Sequence, residues 1–288
     1  MRRATEIPRC LSGARHAAGL PGAAGVGYDT AHPTCAASLP PGDDMKVLSL
    51  AAPANGSGKT SLLCSILAAF PGEFAAAKFT TVYKDGKNCP RTDRDCACRR
   101  LHGTFRWIVD PETLEEEDTD TGRIAASGAT SVHWCVARPG AYGEAVRHGL
   151  DEFLGDPPRL ATEGSRVLGE MPHDLLVFVV RPDVPRSRWK EDADRLLREA
   201  DQVVVNWPEG GWHDGEGAAA RSTGTTPGAR ERAIADLGAK VSEIVRARKG
   251  APPASVIVGD VTRPLASWNP DLVHRIEEVF GVHAAASR

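Results

Sequence analysis

No uninterrupted apolar run of about 18 residues occurs in the chain, so no segment reads as a membrane span. The sequence also lacks a basic excess: 35 Lys and Arg stand against 38 Asp and Glu, a formal charge of −3. A protein that coats nucleic acid normally carries the opposite bias. Heptad and triplet repeats are missing too, which removes coiled coils and collagen-like chains. Gly-x-Ser-x-Gly, His-Glu-x-x-His and paired Cys-x-x-Cys patterns are absent, so hydrolase-triad and zinc-protease chemistry have no support. Seven cysteines, an odd number spread over 288 residues, do not make a secreted disulfide framework. What remains, with 41% hydrophobic and 25% charged residues, is a globular protein with material for a real core. It is expected in the cytoplasm, with no membrane and no nucleic acid as partner.

The first 44 residues differ from the rest. They hold 9 Ala, 6 Gly and 5 Pro, and their large aliphatics follow neither a strand nor a helix period. Residues 1–44 therefore read as a disordered leader or a start codon placed too early. The four arginines (Arg2, Arg3, Arg9, Arg15) keep a transit peptide open as a third reading. Met45 opens directly onto a strand, and residues 45–282 read as one domain followed by a tail at 283–288.

The strongest signal follows at once. Lys46-Val-Leu-Ser-Leu-Ala-Ala52 is a buried strand, and Ser61 to Phe70 places Leu62, Leu63, Ile66, Leu67 and Phe70 at helical spacing. Between them lies Pro53-Ala-Asn-Gly-Ser-Gly-Lys-Thr60. Strand, glycine-bearing loop, Gly-Lys-Thr and helix is the P-loop (Walker A) arrangement. Gly56 and Gly58 let successive N–H groups curl toward an anion, and the helix N-terminus adds its partial positive charge. Lys59 is placed for β- and γ-phosphate oxygens, and the Thr60 hydroxyl for Mg²⁺. Pro53 stands where the pattern has its first Gly, at the strand exit and ahead of the phosphate-facing amides. An ordinary Gly-rich turn is the bland alternative.

Downstream, apolar strands alternate with amphipathic helices. Strands are expected at 75–83, 131–137, 159–162, 175–180, 202–206 and 255–259, with helices near 121–128 (Asp120 as cap), 141–154, 187–200, 229–248 and 270–280. This alternation predicts an α/β fold: a mostly parallel sheet with helices on both faces, a Rossmann-like three-layer P-loop NTPase. Residues 84–118 read as an irregular Cys-bearing insertion, and 207–228 as a long Gly-rich loop, either functional or a floppy insertion. Ligands in such sheets sit at the carboxyl ends of strands. Glu163, one step past a buried strand, is a candidate to hold Mg²⁺ through water or to orient an attacking water; a solvated or capping Glu is the alternative. Asp183 and Asp260 read as turn caps, with a second Mg²⁺ role as the alternative, and His133 and Trp134 as core or pocket wall.

The P-loop at 53–60, Lys78-Phe-Thr-Thr on the second strand, Asp120-Thr-Gly-Arg-Ile-Ala-Ala-Ser-Gly-Ala129 and Thr162-Glu-Gly-Ser165 together resemble the molybdopterin-guanine dinucleotide biosynthesis protein B family. That family belongs to the P-loop GTPase group that also includes dethiobiotin synthetase, and order and rough spacing match over residues 46–183. The resemblance implies a Mg²⁺-dependent GTP-binding protein with slow hydrolysis, an accessory factor in molybdenum-cofactor maturation. It implies that Asn55, Gly56, Ser57, Gly58, Lys59, Thr60 and Ser61 bind the nucleotide, with Lys59 and Glu163 in catalytic roles. Lys78 and Asp120 would face the γ-phosphate or a molybdopterin-side pocket. Partners implied are GTP (or ATP), an anionic small molecule such as a molybdopterin and a cofactor-biosynthesis protein, with a homodimer open. The His-rich continuation of the Lys78 strand is absent, Ser127-Gly-Ala stands for Ala-Gly-Ala, and Asn206-Trp207 is no Asn-Lys-x-Asp base reader. Two other readings stand beside it: a small-molecule kinase or ATP-dependent ligase of the dethiobiotin-synthetase type, and a nucleotide-gated binding adaptor.

Cys89, Cys96, Cys98 and His102 form C-x₆-C-x-C-x₃-H inside the insertion, a donor set for Zn²⁺ or an iron–sulfur cluster, with Cys135 in reserve. Reduced loop cysteines are the alternative. The same stretch is locally basic, which suits an anionic second substrate or a solvated face.

Overall fold

Alternating apolar side chains dictate the layering. β1 (Lys46–Ala51) sends Leu48 and Leu50 to one face and Val47 and Ala51 to the other, and water reaches none of them appreciably. β6 (Leu175–Val180) repeats this, with Leu175, Val177 and Val179 on one side and Leu176, Phe178 and Val180 on the other. Strands buried on both faces need a cover on each. The computed structural model describes residues 45–82, 101–207 and 255–285, with 232, 235–237 and 239 between them.

In chain order the remaining elements are α1 (Lys59–Ala69), β2 (Ala75–Thr81), β3 (Phe105–Ile108), α2 (Pro111–Leu114), α3 (Asp120–Ala126), β4 (Val132–Ala137), α4 (Tyr142–Gly149), β5 (Arg159–Glu163), α5 (Ala193–Glu199), β7 (Gln202–Asn206), β8 (Ser255–Gly259), α6 (Leu265–Trp268) and α7 (Pro270–Phe280). The described strands form one sheet in the order β3-β4-β2-β5-β1-β6-β7-β8, parallel throughout except that β3 runs antiparallel to β4. One face is covered by α1, α3, α6 and α7, which bury Leu62, Leu63, Ile66, Ile124, Leu272 and Phe280 against it. The opposite face packs Tyr142, Ala145 and Val146 of α4, and Leu196 and Leu197 of α5. Each buried Leu, Ile, Val or Phe among them contributes about 2 kcal/mol through the surface it withdraws from water. This is the three-layer α/β fold with a mostly parallel sheet that the sequence predicts.

Three details differ from the sequence reading. Residues 105–108, inside the stretch read as irregular, form the edge strand β3, anchored where Trp107 meets Phe79 edge-on at 5.6 Å and donates its indole N–H to Ala145 O. α3 is capped by Thr119, whose hydroxyl accepts from Gly122 N, so Asp120 is the first helical residue and its carboxylate is released for another partner. The helix expected at 187–200 begins only at Ala193, because residues 186–188 form a short 3₁₀ turn and the Lys190 amide is drawn to Pro53 O at 2.8 Å. The expectations for residues 1–44, for the cysteines of the insertion, for the 207–228 loop beyond Trp207 and for most of the 229–248 helix lie outside the described residues. At the other end, Ala285 N donates to Ala69 O and Ala284 N to Glu277, which ties the chain after α7 back onto the helical layer.

Candidate functional site

The switch in strand order places a crevice at the carboxyl ends of β2, β5, β1 and β6, where open α/β sheets keep their ligands. A cavity of about 860 Å³ opens there, within the size range of small-molecule sites. Its floor is the loop between β1 and α1. Gly56 (φ +72°) and Gly58 (φ +99°) both occupy the left-handed region, which side chains with a Cβ rarely adopt. At Gly58 the constraint is double, since a Cβ would stand 2.4 Å from Asn206 Nδ2 and 3.0 Å from Val261 Cγ2. Asn206 closes the loop from beneath by donating to Ser57 O at 3.1 Å, Ser57 Oγ donates to Ala54 O at 2.9 Å, and Arg181 donates to Gly56 O at 2.8 Å. The cradle is held by side chains before any ligand arrives.

Lys59 leads α1 and lines the cavity with Asn55, Gly56, Gly58, Thr60 and Ser61. Burial pushes its pKa below the ordinary lysine value, Glu163 opposes that shift and Lys78 adds to it. An ammonium so placed favours an anion beside it. Ser61 accepts a hydrogen bond from Arg123 at 3.0 Å.

The second half of the site comes from strand register. β2 pairs with β5 so that Lys78 lies directly beside Glu163. Thr60 Oγ1 donates to Glu163 Oε2 at 2.9 Å, Lys78 Nζ reaches both oxygens of Glu163 at 3.4 Å, and Lys78 Nζ meets Asp120 Oδ2 at 2.6 Å. Burial lowers the Lys78 pKa, but Glu163 and Asp120 outweigh it and hold the value above the ordinary one. Burial acts to raise Asp120, and Lys78 with Arg123 overcomes it and holds the carboxyl below its usual range. Lys59, Thr60, Lys78, Asp120 and Glu163 thus converge from four separate stretches of sequence.

The cavity also carries residues the motif reading passed over: Arg123, Arg166, Arg188 and Lys190. A signal existed in Arg186-Ser-Arg-Trp-Lys190 just past β6, but that run reads equally well as a solvated helix face. Asp183 pairs with Arg181 at 2.6 Å, and Asp260 accepts from Thr262 N as a turn cap. Trp134 packs with Leu101, Ile108 and Leu114 and donates to Thr80 Oγ1, and it does not line the cavity. His133 Nε2 is 3.0 Å from Ser131 Oγ. Of the cysteine-cluster residues, Cys89, Cys96 and Cys98 are outside the described residues, and His102 is exposed. Cys135 is buried on β4 among apolar side chains, which pushes its thiol up to about 12 and withholds the thiolate that a metal needs. Among the described residues no group of three or more His, Cys, Asp or Glu is arranged to hold a metal ion, and no helix is long and apolar enough to cross a membrane.

No family model and no curated protein matches this sequence. Among solved structures, the chain is similar to HypB from Helicobacter pylori in complex with nickel, at 14% identity and a TM-score of 0.40, over 85% of this chain and 93% of that one. So loose a likeness decides nothing about what this chain binds; that question rests on the geometry above.

Proposed function

We propose that the chain is a P-loop protein that binds a nucleoside triphosphate with Mg²⁺ and hydrolyses it slowly. The observation that carries this reading is the pairing of a preformed glycine cradle, with Lys59 at its rim, with Glu163 fixed opposite it by Thr60 and Lys78. Mg²⁺ takes hard oxygen donors, and a hydroxyl and a carboxylate 2.9 Å apart at the first turn of α1 suit it. Thr60 would hold the ion directly and Glu163 through water. When bound, the ion supplies charge neutralisation for the β- and γ-phosphate oxygens.

The chain's own groups do the rest. The loop amides and the start of α1 face the phosphates, and Lys59 neutralises oxygen charge as it builds up. Glu163 keeps a free lone pair with which to orient an attacking water in line with the γ-phosphorus. Lys78 and Thr60 fix that carboxylate, and Asp120 holds Lys78 in turn, so the donors need little reorganisation during the reaction.

The choice of GTP, and a role as accessory factor in molybdenum-cofactor maturation, follow the motif resemblance over residues 46–183. Calorimetric affinities and steady-state turnover for GTP and ATP, with and without Mg²⁺ and a molybdopterin, test both levels. Magnesium-dependent binding with a Lys59→Ala variant down about a hundredfold or more is expected. A Lys59→Ala protein that binds and hydrolyses like the parent would falsify the nucleotide reading. Turnover indifferent to molybdopterin would remove the pathway assignment alone.

A further inference from the structure

A bound nucleotide leaves part of the cavity's charge unexplained. Lys59, Lys78, Arg123, Arg166, Arg188 and Lys190 line it against two carboxylates, Asp120 and Glu163. Arg166 is left out of the balance because it is engaged in an interaction of its own. A triphosphate brings about four negative charges and its divalent ion returns two, so roughly one positive charge stays unmatched. The surplus is not evenly spread. Lys78 and Arg123, on the β2 side, already face Asp120 and Glu163. Arg188 and Lys190, past the end of β6, make no side-chain hydrogen bond or ion pair with the described residues.

The backbone segment that carries these two cations is held in place, with Arg188 exposed and Lys190 half-buried. The Lys190 amide donates to Pro53 O, which ties the segment to the beginning of the phosphate loop. Trp189, between them, packs on the α5 face of the sheet and carries the Arg186 guanidinium 5.5 Å above its ring. Burial and the nearby Lys59 push Lys190 down to about 8, the state of an ammonium lacking its anion. The planar fork of Arg188 matches a tetrahedral oxyanion better than a single-point acceptor.

We infer that Arg188 and Lys190 form a second anion subsite, which receives the phosphate group of a small-molecule second ligand while the nucleotide occupies the phosphate loop. This rests on the nucleotide reading above and adds to it the location and charge class of the second ligand.

The test is calorimetric titration of inorganic phosphate into the full chain, saturated with Mg²⁺ and a non-hydrolysable GTP or ATP analogue. Saturable one-to-one phosphate binding is expected. In an Arg188→Gln, Lys190→Gln double variant, phosphate affinity should fall about tenfold or more, and analogue affinity much less. Absence of phosphate binding to the analogue-loaded chain overturns the inference. Parallel loss of both affinities in the variant overturns it too, because both cations would then serve the nucleotide's own phosphates. Equal affinity for acetate removes the phosphate assignment. A parent chain that binds neither analogue overturns the nucleotide reading and this inference with it, whereas analogue binding without phosphate binding overturns this inference alone.

Discussion

The two flanks of the phosphate loop are built on opposite electrostatic plans. On the β2 and β5 side, Lys78 is locked between Asp120 and Glu163, and Thr60 is bonded to the same Glu163. On the β6 side, Arg188 and Lys190 line the cavity without an ion pair to any carboxylate among the described residues, Asp192 and Glu163 acting on Lys190 only from a distance. A flank that balances its own charge can position water and a cation without attracting a second anion. A flank that carries unbalanced charge can only be satisfied by something that arrives. The same residue type, lysine, thus does different work on each side, and substitution should separate the two.

The largest effect is expected at Glu163. Glu163→Gln keeps the shape and a hydrogen-bond acceptor for Thr60 but removes the charge that, in the function proposed above, orients water. Turnover should fall about 10²–10³-fold, with nucleotide affinity changed only a few-fold, as read by single-turnover kinetics beside calorimetry. Unchanged turnover would assign Glu163 to structure and leave the β5 flank without a chemical role. Lys78→Met comes next. It leaves the buried Glu163 without its cation, and loss of about 3 kcal/mol in denaturant unfolding is expected, the usual scale when one member of a buried pair is removed.

Asp120→Asn is milder, because that carboxylate is nearly half exposed and solvent screens it; less than about 1 kcal/mol should be lost at neutral pH. Its value lies in the pH profile. Asp120 titrates below its ordinary 3.8 in the folded state, so its contribution is complete above that value and disappears as pH falls through the folded pKa. Lys78 titrates above 10.5, so its contribution is complete below that value and is lost as pH rises through the folded pKa. Stability should therefore be flat between these limits on account of this pair. The asparagine variant should show a shallower acid limb than the parent, and an identical acid limb would mean that Asp120 and Lys78 are not coupled in solution.

Much of this arrangement was legible in the sequence, for local reasons. The P-loop announces itself because strand, glycines, Gly-Lys-Thr and helix are contiguous, and the six-residue apolar run of β6, short and rich in Val with a Phe, favours a buried strand. Lys78, Asp120 and Glu163 could be singled out by their motifs, yet their contact depends on β5 inserting between β2 and β1, a pairing between residues 85 apart in sequence. No periodicity records that. The cap on α3 reads one residue late in the sequence because Thr119 and Asp120 both suit the position; in the structure Thr119 takes it and the Asp120 carboxylate meets Lys78. β3 was hidden because a four-residue edge strand with Arg106 exposed has hardly any pattern to show. Arg188 and Lys190 are hard to read for a related reason: charges just past a strand look solvated in sequence, and only the fold, with the Lys190 amide bonded to Pro53, sets them at the cavity.

The smallest expected effect has the opposite sign, and it tests the contrast most directly. Lys190 titrates near 8 instead of 10.5, so between those values the unfolded chain holds a proton that the folded chain has released. Parent stability should therefore rise as pH goes from about 8 to about 10.5, and be independent of this group below 8, where both states are protonated. Burial sets this balance first; Lys59 and Arg166 also disfavour the charge, and Asp192 and Glu163 favour it. Lys190→Met removes the unfavourable charge and keeps a side chain of similar length. The ligand-free variant should melt roughly 2 °C higher than the parent at neutral pH and lose the alkaline rise. Lys78→Met moves the other way, so the pair of variants compares one lysine that supports the fold with one kept at the fold's expense. If Lys190→Met proves destabilising by as much as Lys78→Met, the two flanks are alike, and the surplus charge on the β6 side is already balanced within the chain.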